Sequence, residues 1–503
     1  MTVLADLDTT PGRRRRPVPS WAVLVIACMA QFMVVLDISI VNVALPAMKH
    51  SLDLSSTAQQ WIVNAYTLTF GGFLLLGGRA ADLFGRKKVF LFGLTLFTLA
   101  SVLGGFAQSG GMLIVARAVQ GLGGAILAPA TLSLLTTSYT EPKARTRALT
   151  AWGATAASGG AFGAVLGGVL TQAFDWRWVL FVNVPIGIVL LIAAVRSLTE
   201  SRATLSGLRS LDLPGAITVT GGLAALVYAI VTTDTYSWGS AHTLVLLAVA
   251  VVLLLTFGII ESRVKHPLVP LRIFASRSLS GANAIALLLG AVLTAFIFFM
   301  SLFIQQVNGY SPLQAGLALL PATLGSLAAS LIAGKLVGRI GPRVLLTAGP
   351  LVGAGGLLWM AQLSPGDGYL VHILVPSILV GLGLATCFVP MTMAGTGGVP
   401  VRDAGLASGL INTSRQVGAA IGLAGLATVA ISRTDHVLAG HRATPTLAGV
   451  ALTSGYDQAF LYGSGVAALM ALIAALVIPK LAVHKADTAV EAEALEMVAL
   501  EGV

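Results

Sequence analysis

The chain has 503 residues, of which 56% are hydrophobic and only 10% are charged. Soluble globular proteins carry about 25% charged residues, so this composition excludes a water-soluble globular protein. A net charge of +10 would suggest nucleic-acid binding in a soluble chain, but in a membrane protein the charge is interpreted by position, because basic loops mark the cytoplasmic face. The two cysteines, Cys28 and Cys387, lie in apolar stretches, which argues against a disulfide framework or a metal site.

The apolar residues occur in blocks of about 20, the length of helix that crosses about 30 Å of hydrocarbon. Backbone polar groups in lipid must be satisfied within their own segment, so these blocks are predicted to be helices. The first block is too long for the apolar region of a signal peptide and contains Asp37, so it is predicted to be a retained span. The predicted spans, in chain order, are 20–46, 56–78, 88–108, 111–135, 146–172, 178–198, 212–233, 242–261, 278–305, 313–337, 343–363, 369–396, 404–432 and 457–478.

The position of the basic residues supports fourteen spans. With both termini in the cytoplasm, 24 of the 30 Lys and Arg residues fall in cytoplasmic segments, four fall outside and two lie within spans. Removing one span would place seven basic residues between 263 and 343 on the wrong side, against the positive-inside bias. Twelve spans keep the same parity, and are disfavoured only because 212–233 and 242–261 are both long and apolar enough to span.

The chain also contains an internal repeat. The glycines and basic residues of the segment from Gly78 to Lys88 recur from Gly334 to Arg343 at an offset of 256, although chance resemblance between glycine-rich helices is an alternative. Parallel repeats of six spans with a midplane substrate site are a known transporter architecture. The sequence therefore predicts a basic cytoplasmic N-terminus (1–19), a six-helix bundle (20–198), a linker with two extra helices (199–276), a second six-helix bundle (277–478) and a cytoplasmic tail (479–503).

Four motifs in order resemble those of one transporter family. Gly78-x-x-x-Asp82-x-x-Gly85-Arg86-Lys87-Lys88 resembles the signature loop of the major facilitator superfamily. The stretch from Leu36 to Pro46, the run Arg117 to Gly123 and the run Trp176 to Pro185 resemble motifs of its fourteen-span drug:proton antiporters, the EmrB/QacA type. The resemblance covers roughly residues 20 to 480, and residue usage rich in Ala, Gly and Val but poor in Lys suggests an actinobacterial, high-GC source.

Asp37 and Arg117 are the residues predicted to carry proton coupling. Asp37 is the only acidic residue placed deep within a predicted span, and an ionisable group there is a functional hypothesis by default. Burial favours the neutral acid and a nearby cation favours the carboxylate, so a balance between them allows a proton to load and leave. The resemblance links the matching arginine, Arg117, to the same task. A structural carboxylate and a static ion pair are the alternatives.

The signature loop is predicted to be a gate at one face of the membrane. A carboxylate, a tight glycine turn and a basic cluster can form a latch against a neighbouring helix end, and the resemblance implies that it stabilises the outward-facing state. The alternative is a basic loop that only sets topology. The second copy has Gly338 where the first has Asp82, so the latch is expected to be one-sided. The gating residues are Gly78, Asp82, Gly85, Arg86 and Lys87.

The fifth span carries glycines that allow close helix approach, namely Gly159, Gly163, Gly167 and Gly168. They resemble the antiporter motif of the family, but Ala164 stands where that motif has proline. Without proline a weaker kink is expected, and plain helix packing is an alternative interpretation. This departure leaves the direction of transport dependent on the resemblance.

Polar and aromatic residues within the spans are candidate substrate contacts, although each of them could instead join helices. Arg415 has no obvious acidic neighbour, so it either binds an anionic substrate group or extends to the membrane surface. The candidates are Asn42, Asn64, Tyr66, Gln120, Asn183, Phe296, Phe299, Gln305, Asn412 and Arg415.

The sequence thus predicts an all-α membrane protein of the bacterial inner membrane that exports drugs or antibiotics in exchange for protons. It has no phosphate-binding GxxxxGK[ST] loop and no metal-ligand spacing, so the proton gradient, with no cofactor, is the expected energy source. A single deep acid favours neutral, zwitterionic or monovalent amphiphiles as substrates. The protein is expected to act as a monomer. A metabolite facilitator or symporter is the alternative, and a membrane-embedded enzyme or receptor a remote one.

Overall fold

The computed structural model describes residues 20–139, 141–200, 212–264, 267–400, 403–439 and 444–479. Within these ranges the chain is helical and has no strand. Fourteen helices are long and apolar enough to cross a membrane, which confirms the predicted fold class and span number. They are α1 Ser20–Ser51, α2 Ser56–Phe84, α3 Arg86–Gly105, α4 Gly110–Ser138, α5 Pro142–Ala173, α6 Trp178–Ser197, α7 Leu213–Val231, α8 Ala241–Arg263, α9 Arg277–Val307, α10 Pro312–Ile340, α11 Pro342–Met360, α12 Tyr369–Gly397, α13 Ala404–Leu438 and α14 Pro445–Val477.

The internal repeat is visible in the helix bounds. Helix α10 begins and ends 256 residues after α2, and α11 begins 256 residues after α3 and ends 255 residues after it. Ser55 and Ser311 cap the first helix of each pair, and each pair is joined by a single glycine with a positive φ, Gly85 at 103° and Gly341 at 79°. Only glycine adopts such angles without strain, which explains why glycine recurs at this turn.

The two copies of the turn also bind the rest of their bundles in the same way. Lys87 Nζ donates to the carbonyl oxygens of Val195 at 2.8 Å and Leu198 at 2.6 Å, at the end of α6. Arg343, its counterpart at the offset of 256, donates to the carbonyl oxygen of Ala475 near the end of α14. Cations at a helix C-terminus satisfy its unpaired carbonyls and oppose its dipole.

Contacts within and between the bundles follow this repeat. In the first bundle α1 packs on α5, and α4 packs on α2 and α3; in the second, α9 packs on α13 and α11 packs on α12 and α14. The bundles meet where α5 packs on α10 and α2 packs on α13. The inserted helix α7 lies across α2 and α13, and α8 packs on α7. The exact bundle boundaries at 198 and 277 stay predictions.

The last helix differs from its predicted span. It begins at Pro445 rather than near 457, with Thr444 as its N-cap and Oγ1 accepting from Leu447 N at 3.2 Å. The polar residues of its first turns concealed it from a hydropathy criterion. Asp457, at the edge of the predicted span, therefore lies well inside the helix and is half-buried, so Asp37 is not the only acidic residue away from the ends of a spanning helix. Residues 1–19 and 480–503 lie outside the described residues.

Candidate functional site

A sealed polar cluster surrounds Asp37 in the first bundle. Asp37 is fully buried, and Arg117 of α4 donates through Nη1 to its Oδ2 at 2.5 Å. Its other oxygen, Oδ1, accepts from Gln120 Nε2 at 2.7 Å and from Asn183 Nδ2 at 2.9 Å. Three donors from α4 and α6 thus hold the carboxylate of α1, and both of its oxygens accept hydrogen bonds.

Arg117 is held on several sides and is only 2% exposed. Its Nη1 also donates to Gln120 Oε1 at 2.6 Å, and its Nε donates to the carbonyl oxygen of Ile62 at 3.3 Å. Its Cζ lies 4.3 Å from the centroid of the Tyr66 ring, a cation–π geometry. These contacts leave Arg117 partners that do not depend on Asp37.

Ser101 of α3 completes the cluster, and sequence reasoning missed it. Its Oγ accepts from Gln120 Nε2 at 2.6 Å and from Asn183 Nδ2 at 3.3 Å. No signal in the sequence marks this serine, because one hydroxyl in an apolar span is common. Gln120 and Asn183 were expected to line a cavity; the structure places both as fully enclosed partners of Asp37.

Glycines in α4 explain how the cluster closes. A Cβ on Gly121 would collide with the carbonyl oxygen of Tyr66, and a Cβ on Gly123 would lie 2.7 Å from the backbone nitrogen of Phe97. Small residues at these points let α4 approach α2 and α3 more closely than side chains would allow. That approach brings Arg117 within reach of the α2 backbone.

The signature loop lies at the face where α1 begins. Asp82 Oδ1 accepts from Arg86 Nη2 at 3.4 Å, and Arg86 Nε donates to Ser133 Oγ of α4 at 2.6 Å. The loop therefore joins the ends of α2, α3 and α4. A Cβ on Gly78 would touch only Pro129, at 3.5 Å, while Gly338, at the place of Asp82 in the second copy, has open space where its Cβ would lie.

The α5 glycines form two contact surfaces. A Cβ on Gly159 or Gly163 would press on α1, at Phe32 and Val35 for the first and at Leu36 and Ser39 for the second. Gly167 also faces α1, through Ile40, whereas Gly168 faces Pro312 and Leu313 of α10. The helix runs unbroken through Ala164, so α5 joins α1 to the second bundle as one continuous rod.

The other candidates lie where the bundles meet or nearby. Ser301 Oγ donates to the carbonyl oxygen of Asn42 at 3.0 Å, and Gln305 Nε2 donates to that of Val43 at 3.1 Å, so these residues join α1 to α9. Asn64 is fully buried, and neither side-chain polar atom has a partner among the described residues. Phe296 and Phe299 are buried, and Asn412 and Arg415 are half-buried.

A cavity of about 100 Å³ lies between the bundles near the end of α1. Lys49, Gln60, Phe299, Asp435 and Tyr456 are among its lining residues. Both bundles contribute to it, but the Asp37 cluster does not. Among the described residues, no group of three His, Cys, Asp or Glu side chains could hold a metal ion.

Comparison with known proteins agrees with this architecture. Two solved structures share the fold. The first is a bacterial homologue of the human lysosomal transporter Spinster, inward-facing and unoccupied, with a TM-score of 0.65 and 16% identity over 91% of this chain and 96% of that one. The second is the peptide transporter POT in complex with sulfate, with a TM-score of 0.65 and 15% identity over 92% of this chain and 94% of that one. Two curated relatives are the cephamycin export protein CmcT of Amycolatopsis lactamdurans (44% identity, 94% of this chain and 95% of the relative) and the puromycin resistance protein pur8 of Streptomyces alboniger (40% identity, 90% of each).

The match to a protein family covers most of the region that aligns with these relatives. The family described as Major Facilitator Superfamily matches residues 27–423, from α1 into α13. Relatives with at least 40% identity align over nine-tenths of the chain. The chain belongs to the major facilitator superfamily of membrane transporters.

Proposed function

We propose that this transporter exports antibiotics in exchange for protons and that Asp37 carries the exchanged proton. Export of drugs is supported by relatives that share 44% and 40% identity over nine-tenths of the chain and are named for cephamycin export and puromycin resistance. These names favour export over the symporter that the sequence left open. A cephamycin and puromycin are therefore the first compounds to test.

The observation that carries proton exchange is the saturation of the Asp37 carboxylate. Its Oδ2 accepts from Arg117, and its Oδ1 accepts from Gln120 and Asn183, so each oxygen already faces a donor hydrogen. A carboxylic acid needs one oxygen as a donor itself. A proton on Oδ2 therefore competes with Arg117 for the same site.

Protonation has a defined consequence in this geometry. It removes the negative charge 2.5 Å from Nη1, while Arg117 keeps Gln120 Oε1, the Ile62 carbonyl and the Tyr66 ring as partners. The guanidinium then favours α2 and its own helix over α1. We infer that this change biases the first bundle toward the other facing state, with the signature loop as its latch. Both termini in the cytoplasm, a monomer and no cofactor complete the proposal.

The test is transport in vesicles with an imposed proton gradient. Asp37→Asn keeps the shape of the side chain but cannot exchange a proton, so gradient-driven accumulation of the drug should vanish, whereas exchange of labelled for unlabelled drug should persist. Asp367→Asn, in the loop between α11 and α12, is the matched control and should behave as wild type. Full accumulation by Asp37→Asn would refute the role of Asp37. Movement of the drug in the same direction as the protons, rather than in the opposite direction, would favour symport.

A further inference from the structure

Arg415 is a cation within α13 that has no acidic partner in the part of the chain that the structure describes. It is the twelfth residue of the helix, which places its Cα about 16 Å along the axis from Ala404. Its Nη2 donates to Asn412 Oδ1 at 2.8 Å, and its Cζ lies 5.8 Å from the centroid of the Phe388 ring. Among the described residues, no carboxylate lies within 4 Å of its guanidinium. An arginine at this depth is expected to have an anionic partner or a functional reason.

The guanidinium does not reach the end of its helix. An arginine side chain spans roughly 7 Å, less than half of the distance from Arg415 to the start of α13. The guanidinium instead contacts Asn412, one turn away on the same helix, and Phe388 of α12. The residue is half-buried, so packed protein does not enclose it completely.

The neighbours of Arg415 place it at the contact between the bundles. Gly71 of α2, in the first bundle, lies against the Cβ of Gln416, the next residue along α13. Gly290 of α9 lies against the carbonyl oxygen of Arg415 itself. Arg415 therefore lies on the part of α13 that meets α2 and α9, and its guanidinium lies beside α12.

The other charges of the junction do not cancel it. Asp37 and Arg117 form a sealed neutral pair inside the first bundle. Lys49 and Asp435, which are opposite in charge, both line the cavity near the end of α1. Arg415 therefore keeps a positive charge with no carboxylate bound to it among the described residues, and such a charge attracts an anion in a site of low polarity.

We infer that Arg415 is the anion-binding residue of the export site and that the transported compounds include amphiphiles with a carboxylate. This inference rests on the proposed export function. The planar guanidinium matches the two oxygens of a carboxylate, and the Phe388 ring offers an apolar face beside it. Asn412 fixes the orientation of the guanidinium and is thus a positioning residue.

Three fluorescent probes that share one ring system test the charge preference. Dansylglycine is an anion, dansylamide is neutral and dansylcadaverine is a cation. Binding is measured by energy transfer from tryptophan to the dansyl group, with purified protein in phosphatidylcholine liposomes. Arg415→Gln should weaken binding of dansylglycine about tenfold or more, since a hydrogen bond to a charged group contributes at least that factor, and should change binding of dansylcadaverine less than twofold.

Two further variants separate charge from folding. Arg415→Lys keeps the charge without the planar fork, so it should recover part of the affinity for dansylglycine. Arg433→Gln removes a charge from the same helix near its other end, where Arg433 contacts Ser454, and should leave all three affinities unchanged. An equal loss for all three probes, or unchanged dansylglycine binding in Arg415→Gln, would overturn the inference.

A lipid phosphate has the same charge as a carboxylate, so lipid is tested in the same assay. Dansylglycine binding that depends on Arg415 and persists in liposomes containing phosphatidylglycerol supports a solute site, whereas complete competition by that lipid overturns it. Binding of dansylglycine is measured at equilibrium without a proton gradient, whereas accumulation of substrate requires the gradient. Failure of proton coupling and failure of anion binding are therefore distinguishable.

Discussion

Removing the charge of Asp37 and removing the charge of Arg117 should destabilise the first bundle by different amounts. Asp37→Asn leaves Arg117 charged and enclosed, and a guanidinium cannot discharge itself. Arg117→Gln leaves Asp37, which can take up a proton and become neutral. Breaking a buried pair costs about 3 kcal/mol or more, so Asp37→Asn should approach that cost and Arg117→Gln should fall below it. The double variant buries no charge and should be more stable than Asp37→Asn alone.

The two cysteines allow the stability of the two single variants and the double variant to be compared. Cys28 is buried in α1, the helix of Asp37, and Cys387 is buried in α12 of the second bundle. A cost of about 3 kcal/mol raises the opening equilibrium, and thus the maleimide labelling rate of Cys28, by roughly a hundredfold.

Cys387 should label at its wild-type rate if the bundles open separately. Labelling of Cys28 in the double variant should be slower than in Asp37→Asn. Faster labelling in the double variant than in either single variant would show that the pair does not interact as the distances indicate.

Two further predictions concern the turns and seams of the bundles. A Cβ on Gly77 would collide with the carbonyl oxygen of Ala125, whereas a Cβ on Gly78 would make only an ordinary contact. Gly77→Ala should therefore lower the melting temperature in detergent by several degrees, and Gly78→Ala should lower it little. Only Gly78 belongs to the signature motif, so this order is the reverse of what the motif alone would suggest. Lys87→Met and Arg343→Met each remove the cation that binds the end of the last helix of a bundle. Each should therefore lower the stability of its bundle by about 1 kcal/mol. Equal labelling rates of Cys28 in Lys87→Met and in wild type would contradict this expectation.

The sequence predicted the spans because apolar blocks and basic loops report directly on a bilayer. It paired Asp37 with Arg117 through the family resemblance, and the structure shows the two in contact. It did not predict the start of α14, since Thr, Ser and Gly in the first turns lower the hydropathy although the helix is properly capped.

The partners of Asp37 were harder to predict than Asp37 itself. Which neighbours saturate a carboxylate depends on how closely helices approach, and that distance is set by glycines on other helices. Asn183 follows Asp37 by 146 residues and reaches it only because α6 packs on α3 and α1. Ser101 has no distinguishing sequence context, so only the packed arrangement identifies its role.

In the proposed mechanism, the proton and the substrate act in different bundles, so some element must respond to both. Helix α5 contacts α1 two residues from Asp37, where Ser39 Oγ donates to the carbonyl oxygen of Gly160 at 2.7 Å. The same helix contacts α10, where Gly316 lies against the Ala164 carbonyl. Proline at position 164 would uncouple one turn from the next by removing an N–H, but alanine keeps the helix continuous. We propose that a displacement of α1 that follows protonation is transmitted to the second bundle by α5, because this helix is unbroken at Ala164 and does not kink there.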